Sequence, residues 1–178
     1  MKQSEISDQN NELIVSYLNL LLAEEYVLYT KTRTAHWNID GSNYFELHVF
    51  LENQYNTLND MIDNIAEQIR SLGHYAISSL KDLLRLAKAN DVNQNYSNSN
   101  LIFEALLHDH ETMIGIIQHE VYPILRQSGD PDTSDFVIGL SGQHENIIQM
   151  IRSFLSEPDF HKPGLIKNYN VLFSGRNN

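Results

Sequence analysis

Apolar residues return at three- and four-residue steps through four long stretches of this chain, and that spacing commits each stretch to a helix with one buried face. The first stripe, from about Asn11 to Trp37, carries Leu13, Ile14, Tyr17, Leu18, Leu21, Leu22, Tyr26 and Tyr29. Asn38, Asp40 and Gly41 supply turn chemistry, Ser42 can cap the next helix, and Phe45, Leu47, Phe50 and Leu51 open a second stripe running to about Arg70, with Gly73 as its stop. A third helix is predicted from about Ser99 to Gln127, kinked or frayed where Pro123 removes a backbone donor. Ser128, Gly129, Asp130 and Pro131 form a turn with Pro131 suited to a first helical turn. A fourth helix then covers about Asp132 to Leu155 on Phe136, Leu140, Ile147, Ile148, Ile151 and Leu155.

The second and third helices are separated by a long connection, residues 72–100. It holds a short helix capped by Ser78 or Ser79, with Leu80, Leu83, Leu84 and Leu86 as the expected buried side, and ends in the Asn- and Ser-rich run Asn93 to Asn100. A linker of that length lets the two helices run in the same direction, so the pattern predicts an all-α, four-helix bundle with one long crossover. At 178 residues the chain suits one domain. The bundle is expected over about 11–156, with a polar N-terminal tail 1–10 and a C-terminal tail 157–178.

Composition narrows the chemistry. Without cysteine, any metal site must use His and carboxylates, and the chain is compatible with a reducing cytoplasm. The opening Met1 to Asn11 is polar throughout, and no later run is expected to span a membrane. A formal charge of -11 opposes binding of nucleic acid or anionic lipid over the general surface and makes cations the natural guests.

The second helix carries the chemical signal. His48, Glu52, Asp63 and Glu67 occupy an arc of roughly 100° on one side of it. His48 with Glu52, and Asp63 with Glu67, each lie four residues apart and can approach a common ion. The two pairs are about 22 Å apart along the axis, too far for one site on one helix. A two-fold axis near Asn56 and Thr57 would lay one chain's His48 and Glu52 beside the partner's Asp63 and Glu67 and create two equivalent sites. His36, twelve residues before His48, can complete each. Such ligands suit iron, zinc, manganese and similar divalent metals without selecting among them. Taken singly, an acid such as Asp63 or Glu67 is more simply a solvated helix face.

The segment from Asn19 through Leu72, with TKTRTAHWNIDG, FELHVFLE and IDNIAEQIRSLG, resembles the motif region of the Dps family of ferritin-like proteins. GDPDTSD and HENIIQMIRSFL resemble the family's last helix. The resemblance implies a ferritin-like bundle in which His36, His48, Glu52, Asp63 and Glu67 form a ferroxidase site shared between subunits. It implies a hollow homo-oligomer, a dodecamer, that oxidises Fe(II) with hydrogen peroxide or oxygen at mononuclear or dinuclear sites, stores ferric mineral and protects against oxidative stress. Zinc or manganese are possible substitutes. Glu52 stands where many members have Asp, and Gln68 replaces a commonly found Arg. No Glu-x-x-His pair occurs in the sequence, so the intrachain di-iron site of ordinary ferritins is not expected.

By the same resemblance Trp37 would lie near the iron centre as an electron relay, although core or interface packing accounts for it equally well. Asp130, Asp132 and Asp135 are first of all helix N-terminal acids, and by resemblance line an acidic pore for cation entry. His108, His110, His119 and His144, with Glu104, Glu111, Glu120 and Glu145, are expected to serve surface or interface roles in preference to a second metal site. The rival reading is a non-catalytic nucleoid or interaction cage acting through its tails. The N-terminal twelve residues set Lys2 against Glu5, Asp8 and Glu12, while residues 161–178 carry Lys162, Lys167 and Arg176 and no acid. The overall balance argues against direct DNA binding.

Overall fold

The computed structural model describes residues 2–40, 43–89 and 98–156, with side chains described from Asn10 onward. Its elements in chain order are α1 (Lys2–Asn38), α2 (Tyr44–Ser71), α3 (Leu80–Leu86), α4 (Ser99–Ile116), a π-helical turn (Ile117–Val121), α5 (Tyr122–Ser128) and α6 (Pro131–Ser156). No strand occurs among the described residues. The two short connections pair α1 with α2 and the α4–α5 arm with α6, and the pairs close on one another to form the bundle.

Each long helix buries the stripe that its apolar spacing predicts. Ile14, Leu18, Leu21 and Leu22 of α1 meet Leu47, Leu51, Leu58, Met61, Ile65 and Ile69 of α2, with Phe103, Leu106 and Met113 of α4 and Leu140, Ile147 and Ile151 of α6 completing one core. Phe50, Phe103 and Phe154 interlock with ring centroids 4.7–5.8 Å apart and tie α2, α4 and α6 together. Leu13 and Phe45 depart from the expected stripes: they are 45% and 76% exposed. Residues 10–38 are long and apolar enough to cross a membrane by length and composition, which the sequence reading did not anticipate; much of that stretch is packed inside the bundle.

The helix ends follow local chemistry. Gly73, at φ +86°, closes α2: its N–H donates to the Arg70 carbonyl and that of His74 to the Ile69 carbonyl, the pattern of a left-handed glycine cap. The expected Ser42 cap lies outside the described residues. At the other extreme α1 begins at Lys2 rather than near Asn11, so the predicted polar tail is helical from Lys2.

Pro123 does not fray the third helix, which continues to Ser128. Its missing N–H deprives the His119 carbonyl of its ordinary partner four residues on. The chain absorbs this by widening one turn: Tyr122 N–H donates to the Ile117 carbonyl, and the helix resumes as α5.

In the crossover the expected buried side of α3 is corrected. Leu83 is buried, but Leu80 and Leu84 are 72% and 59% exposed. On a two-turn helix Leu84 and Leu86 point about 160° apart, so one contact with α1 cannot cover all four leucines. Side chains of α1 hold the connection down at both ends. Ile77 N–H donates to Asn19 Oδ1 at 3.2 Å, and the Lys88 and Ala89 N–H groups donate to the Glu24 carboxylate at 2.6 and 3.2 Å. Burial pushes the Glu24 pKa up, and those two N–H groups pull against that shift. The run Asn93 to Ser97 lies outside the described residues.

Candidate metal centre and its relatives

His36 closes the last full turn of α1 and His48 stands in the second turn of α2, so the short α1–α2 connection brings the two imidazoles face to face. Their rings stack with centroids 3.7 Å apart. The His36 Nδ1–H donates to the His48 carbonyl, and the His48 Nδ1–H donates to the His36 carbonyl, both at 3.0 Å. A carbonyl oxygen only accepts, so each Nδ1 must carry the proton. A neutral imidazole with Nδ1 protonated offers its lone pair at Nε2, and a backbone acceptor that fixes the tautomer in this way is characteristic of metal-binding histidines. Tyr44 stacks on the His48 ring at 5.0 Å, and Tyr55 meets the His36 ring edge-on at 5.2 Å, which restrains both planes.

The carboxylates stand apart from this pair. Glu52, one turn beyond His48, is exposed, and Asp63 and Glu67 are exposed on the same helix about four turns further along. Within one chain, no three described His, Asp or Glu side chains gather around a common point. Between the two pairs the outer face of α2 offers Asn53, Asn56, Thr57 and Asp60, all exposed.

Comparison with known proteins gives the affiliation. Residues 15–159 match the ferritin-like domain family. The chain is 33% identical to an uncharacterized low temperature-induced protein of Nostoc sp., over 89% of this chain and 90% of that one. It is 29% identical to DNA protection during starvation protein 2 of Bacillus anthracis, over 83% of this chain and 99% of the relative. The crystal structure of a Dps protein from Vibrio cholerae, described as a member of a broad superfamily of ferritin-like diiron-carboxylate proteins, superposes with a TM-score of 0.77 at 26% identity, over 83% of this chain and 91% of that one. Dps from Staphylococcus aureus superposes with a TM-score of 0.75 at 28% identity, over 81% and 95%.

The chain belongs to the Dps branch of the ferritin-like family.

In this Dps-family chain the secondary candidates separate clearly. Trp37 is 64% exposed, so packing in the core of its own subunit does not account for it. Its ring lies 5.3 Å beneath the Arg33 guanidinium, which also faces Tyr29 and Tyr55 at 5.7 and 5.6 Å. Asp130 accepts from the Thr133 N–H at 3.0 Å and the Thr133 hydroxyl at 2.6 Å, and so caps α6. Asp132 and Asp135 are exposed beside it. Gln68 donates to the Thr133 hydroxyl at 2.9 Å, so the residue that departs from the family pattern docks α2 on the start of α6.

On α4 the expectation of surface roles holds for His108 and Glu104, which are exposed, and for His119 in the π-helical turn. Glu111 pairs with Arg152, and Glu120 with Lys88. Glu145 is exposed. The expectation fails for His110 and His144, which are 1% and 0% exposed. Their Nδ1 atoms lie 2.8 Å apart, and His144 Nε2 lies 2.8 Å from Oε1 of Glu25, itself buried on α1. The signal for this was in the sequence. His110 falls between Leu106 and Met113, and His144 between Leu140 and Ile147, on the apolar stripes of their helices.

Burial, and then the neighbouring His144, hold the His110 pKa well below the ordinary imidazole value of 6.5. Between that value and the depressed one, the unfolded chain binds a proton that folded His110 does not. Stability of chelator-treated protein therefore falls as the pH drops below about 6.5 and is unaffected by this group above it. Denaturation midpoints measured from pH 8 to pH 5 (about one to two units either side of that value) should show this slope, and His110→Leu should flatten it. An equal slope in the variant would assign the acid sensitivity elsewhere.

Proposed function

We propose that pairs of this chain oxidise Fe(II) at two sites per pair, using hydrogen peroxide as the favoured oxidant with oxygen as the alternative, and deposit the ferric product inside a hollow homo-oligomer, a dodecamer in the cytoplasm. The observation that carries this reading is the reciprocal His36–His48 backbone contact, which protonates both Nδ1 atoms and leaves both Nε2 lone pairs for a metal. Membership of a family with ferritin-like diiron-carboxylate members supports iron binding and storage in general. The name of the Bacillus anthracis relative adds DNA protection.

Each site takes Nε2 of His36 and His48 and the carboxylate of Glu52 from one subunit, with Asp63 and Glu67 of the partner subunit across the two-fold axis. The carboxylates offset the charge gained when Fe(II) becomes Fe(III), and Glu67 is suited to bridge when two irons bind. Two Fe(II), one peroxide and two protons give two Fe(III) and two water molecules. No hydroxyl radical is released, and DNA is spared because both reactants of radical chemistry are removed. The fixed Nδ1 protons keep the histidines from leaving the metal by tautomerisation. Zinc or manganese can compete for the same donors.

Stopped-flow absorbance of anaerobic protein loaded with Fe(II) and mixed with peroxide tests the site. The His36→Gly/His48→Gly double variant should lose at least about 100-fold in rate, the scale on which removal of directly engaged groups acts. Oxidation continuing unchanged in that variant would overturn the assignment.

A further inference from the structure

Glu25, His144 and His110 come from α1, α6 and α4 and form a continuous polar chain through an otherwise apolar core. Nothing in the proposed iron chemistry uses them. Glu25 stands eleven residues before His36 on α1, about 16 Å along the helix axis, so the chain is separate from the interface histidines.

Its contacts fix how many hydrogens the two rings can hold. The Nδ1 atoms lie 2.8 Å apart, a hydrogen-bond distance that requires one hydrogen between them. With none, two lone pairs face each other; with two, an N–H meets an N–H. His144 Nε2 lies 2.8 Å from Glu25 Oε1, and an ionised carboxylate only accepts, so that nitrogen carries a hydrogen. In this geometry the four ring nitrogens can carry three hydrogens and never four.

Charge selects three hydrogens over two. The three side chains are at most 1% exposed. With two hydrogens both rings are neutral, and the Glu25 charge is left unpaired in the core, where its Oε2 also lacks a described donor. With three, the rings carry one positive charge beside the carboxylate and the set is neutral; the proton stays on the ring because imidazole is the stronger base. Held on His144, that charge is the second cause, after burial, of the depressed His110 pKa. No other ionisable group competes for the role. Lys31 pairs with Asp109 and Arg152 with Glu111, while Glu24 is turned to the crossover. The buried side chains of α2, the π-helical turn and α5 are uncharged.

We propose that Glu25, His144 and His110 form an acid-sensitive latch: a carboxylate–imidazolium pair capped by a neutral imidazole ties α1, α6 and α4 together, and a fourth ring hydrogen parts α4 from α6. That hydrogen sets two like-charged N–H groups against each other, and histidine protonation of this kind switches packed elements. His110 lies between Leu106 and Met113, and His144 between Leu140 and Ile147, so parting the rings opens the apolar seam around them. The opened form takes up the proton that the closed form refuses, so opening is favoured as the pH falls below the ordinary imidazole value and is unaffected above it. The latch lies within one subunit and stands whether or not the interface site oxidises iron.

Hydrogen exchange read by mass spectrometry on the full-length, assembled chain tests it. After correction for the intrinsic pH dependence of exchange, α4 and α6 should exchange at least about tenfold faster at about pH 5 than at about pH 7.5, and α2 should change less. His110→Gln removes one titrating ring and should abolish the acceleration. Glu25→Gln removes only the counter-charge, so the acceleration should begin nearer neutral pH; a Glu25 that merely fills space would raise exchange equally at both pH values. Acceleration that persists in His110→Gln, or an onset unmoved by Glu25→Gln, would overturn the latch. Should a variant fail to assemble, solid-state NMR of the histidine ring nitrogens in the unsubstituted protein decides. At neutral pH the two coupled Nδ1 atoms should share one hydrogen and both Nε2 atoms should carry one, whereas a bare Nε2 on either ring would refute the proposal.

Discussion

Co-expressing the His36→Gly/His48→Gly chain with an Asp63→Asn/Glu67→Gln chain should restore peroxide-driven iron oxidation, although neither variant oxidises iron by itself. His48 and Asp63 lie fifteen residues apart on α2, about 22 Å along an uninterrupted helix, and no bending of one subunit brings them to one ion. If the site is shared, a mixed pair has one site built from both intact halves and one from both damaged halves. Random pairing makes about half the pairs mixed, so about a quarter of the sites return, each at full rate. Differently tagged chains confirm mixed assembly, and stopped-flow absorbance counts the recovered fast phase. A co-assembled cage no more active than its parents would refute the shared site.

The second large effect concerns the aromatic knot. Phe103→Ala should lower stability by about 3–5 kcal/mol, the range for truncating a buried aromatic side chain. Phe103 is fully buried, and its ring contacts both Phe50 of α2 and Phe154 of α6. Removing it therefore unpacks three helices at once, and they cannot all close on the gap without spoiling contacts elsewhere. The measurement is the shift in chemical-denaturation midpoint at fixed protein concentration, since assembly adds to apparent stability. A loss below about 1 kcal/mol would mean that the neighbouring rings refill the space.

Much of this fold is local, and that part was legible. The apolar steps in α1, α2, α4 and α6, the glycine stop at Gly73 and the N-terminal acid at Asp130 each depend on residues within a turn or two. Their interactions are therefore encoded side by side. The pairing of His48 with Glu52 and of Asp63 with Glu67 was readable for the same reason, because helical geometry alone places residues four apart on one face.

Other features required contacts across the chain. Leu80 and Leu84 are as apolar as Leu83, and only the docking of α3 on α1 decides which leucine is covered. Pro123 announces a disturbed helix, but that the disturbance takes the form of a π turn, with α5 continuing against α6, is visible only in the structure. His110 and His144 each sit on an apolar stripe. Nothing local says that they meet each other, or that Glu25, 119 residues from His144, supplies the acceptor.

The sequence by itself therefore determined the four helices, the long crossover and the spacing of the residues proposed for an interface site, because those follow from periodicity, capping and spacing along one helix. Tertiary structure alone decided the tautomers of His36 and His48 and the buried Glu25–His144–His110 chain. A proton's place on an imidazole depends on which acceptor the fold sets beside it, and those acceptors come from other helices.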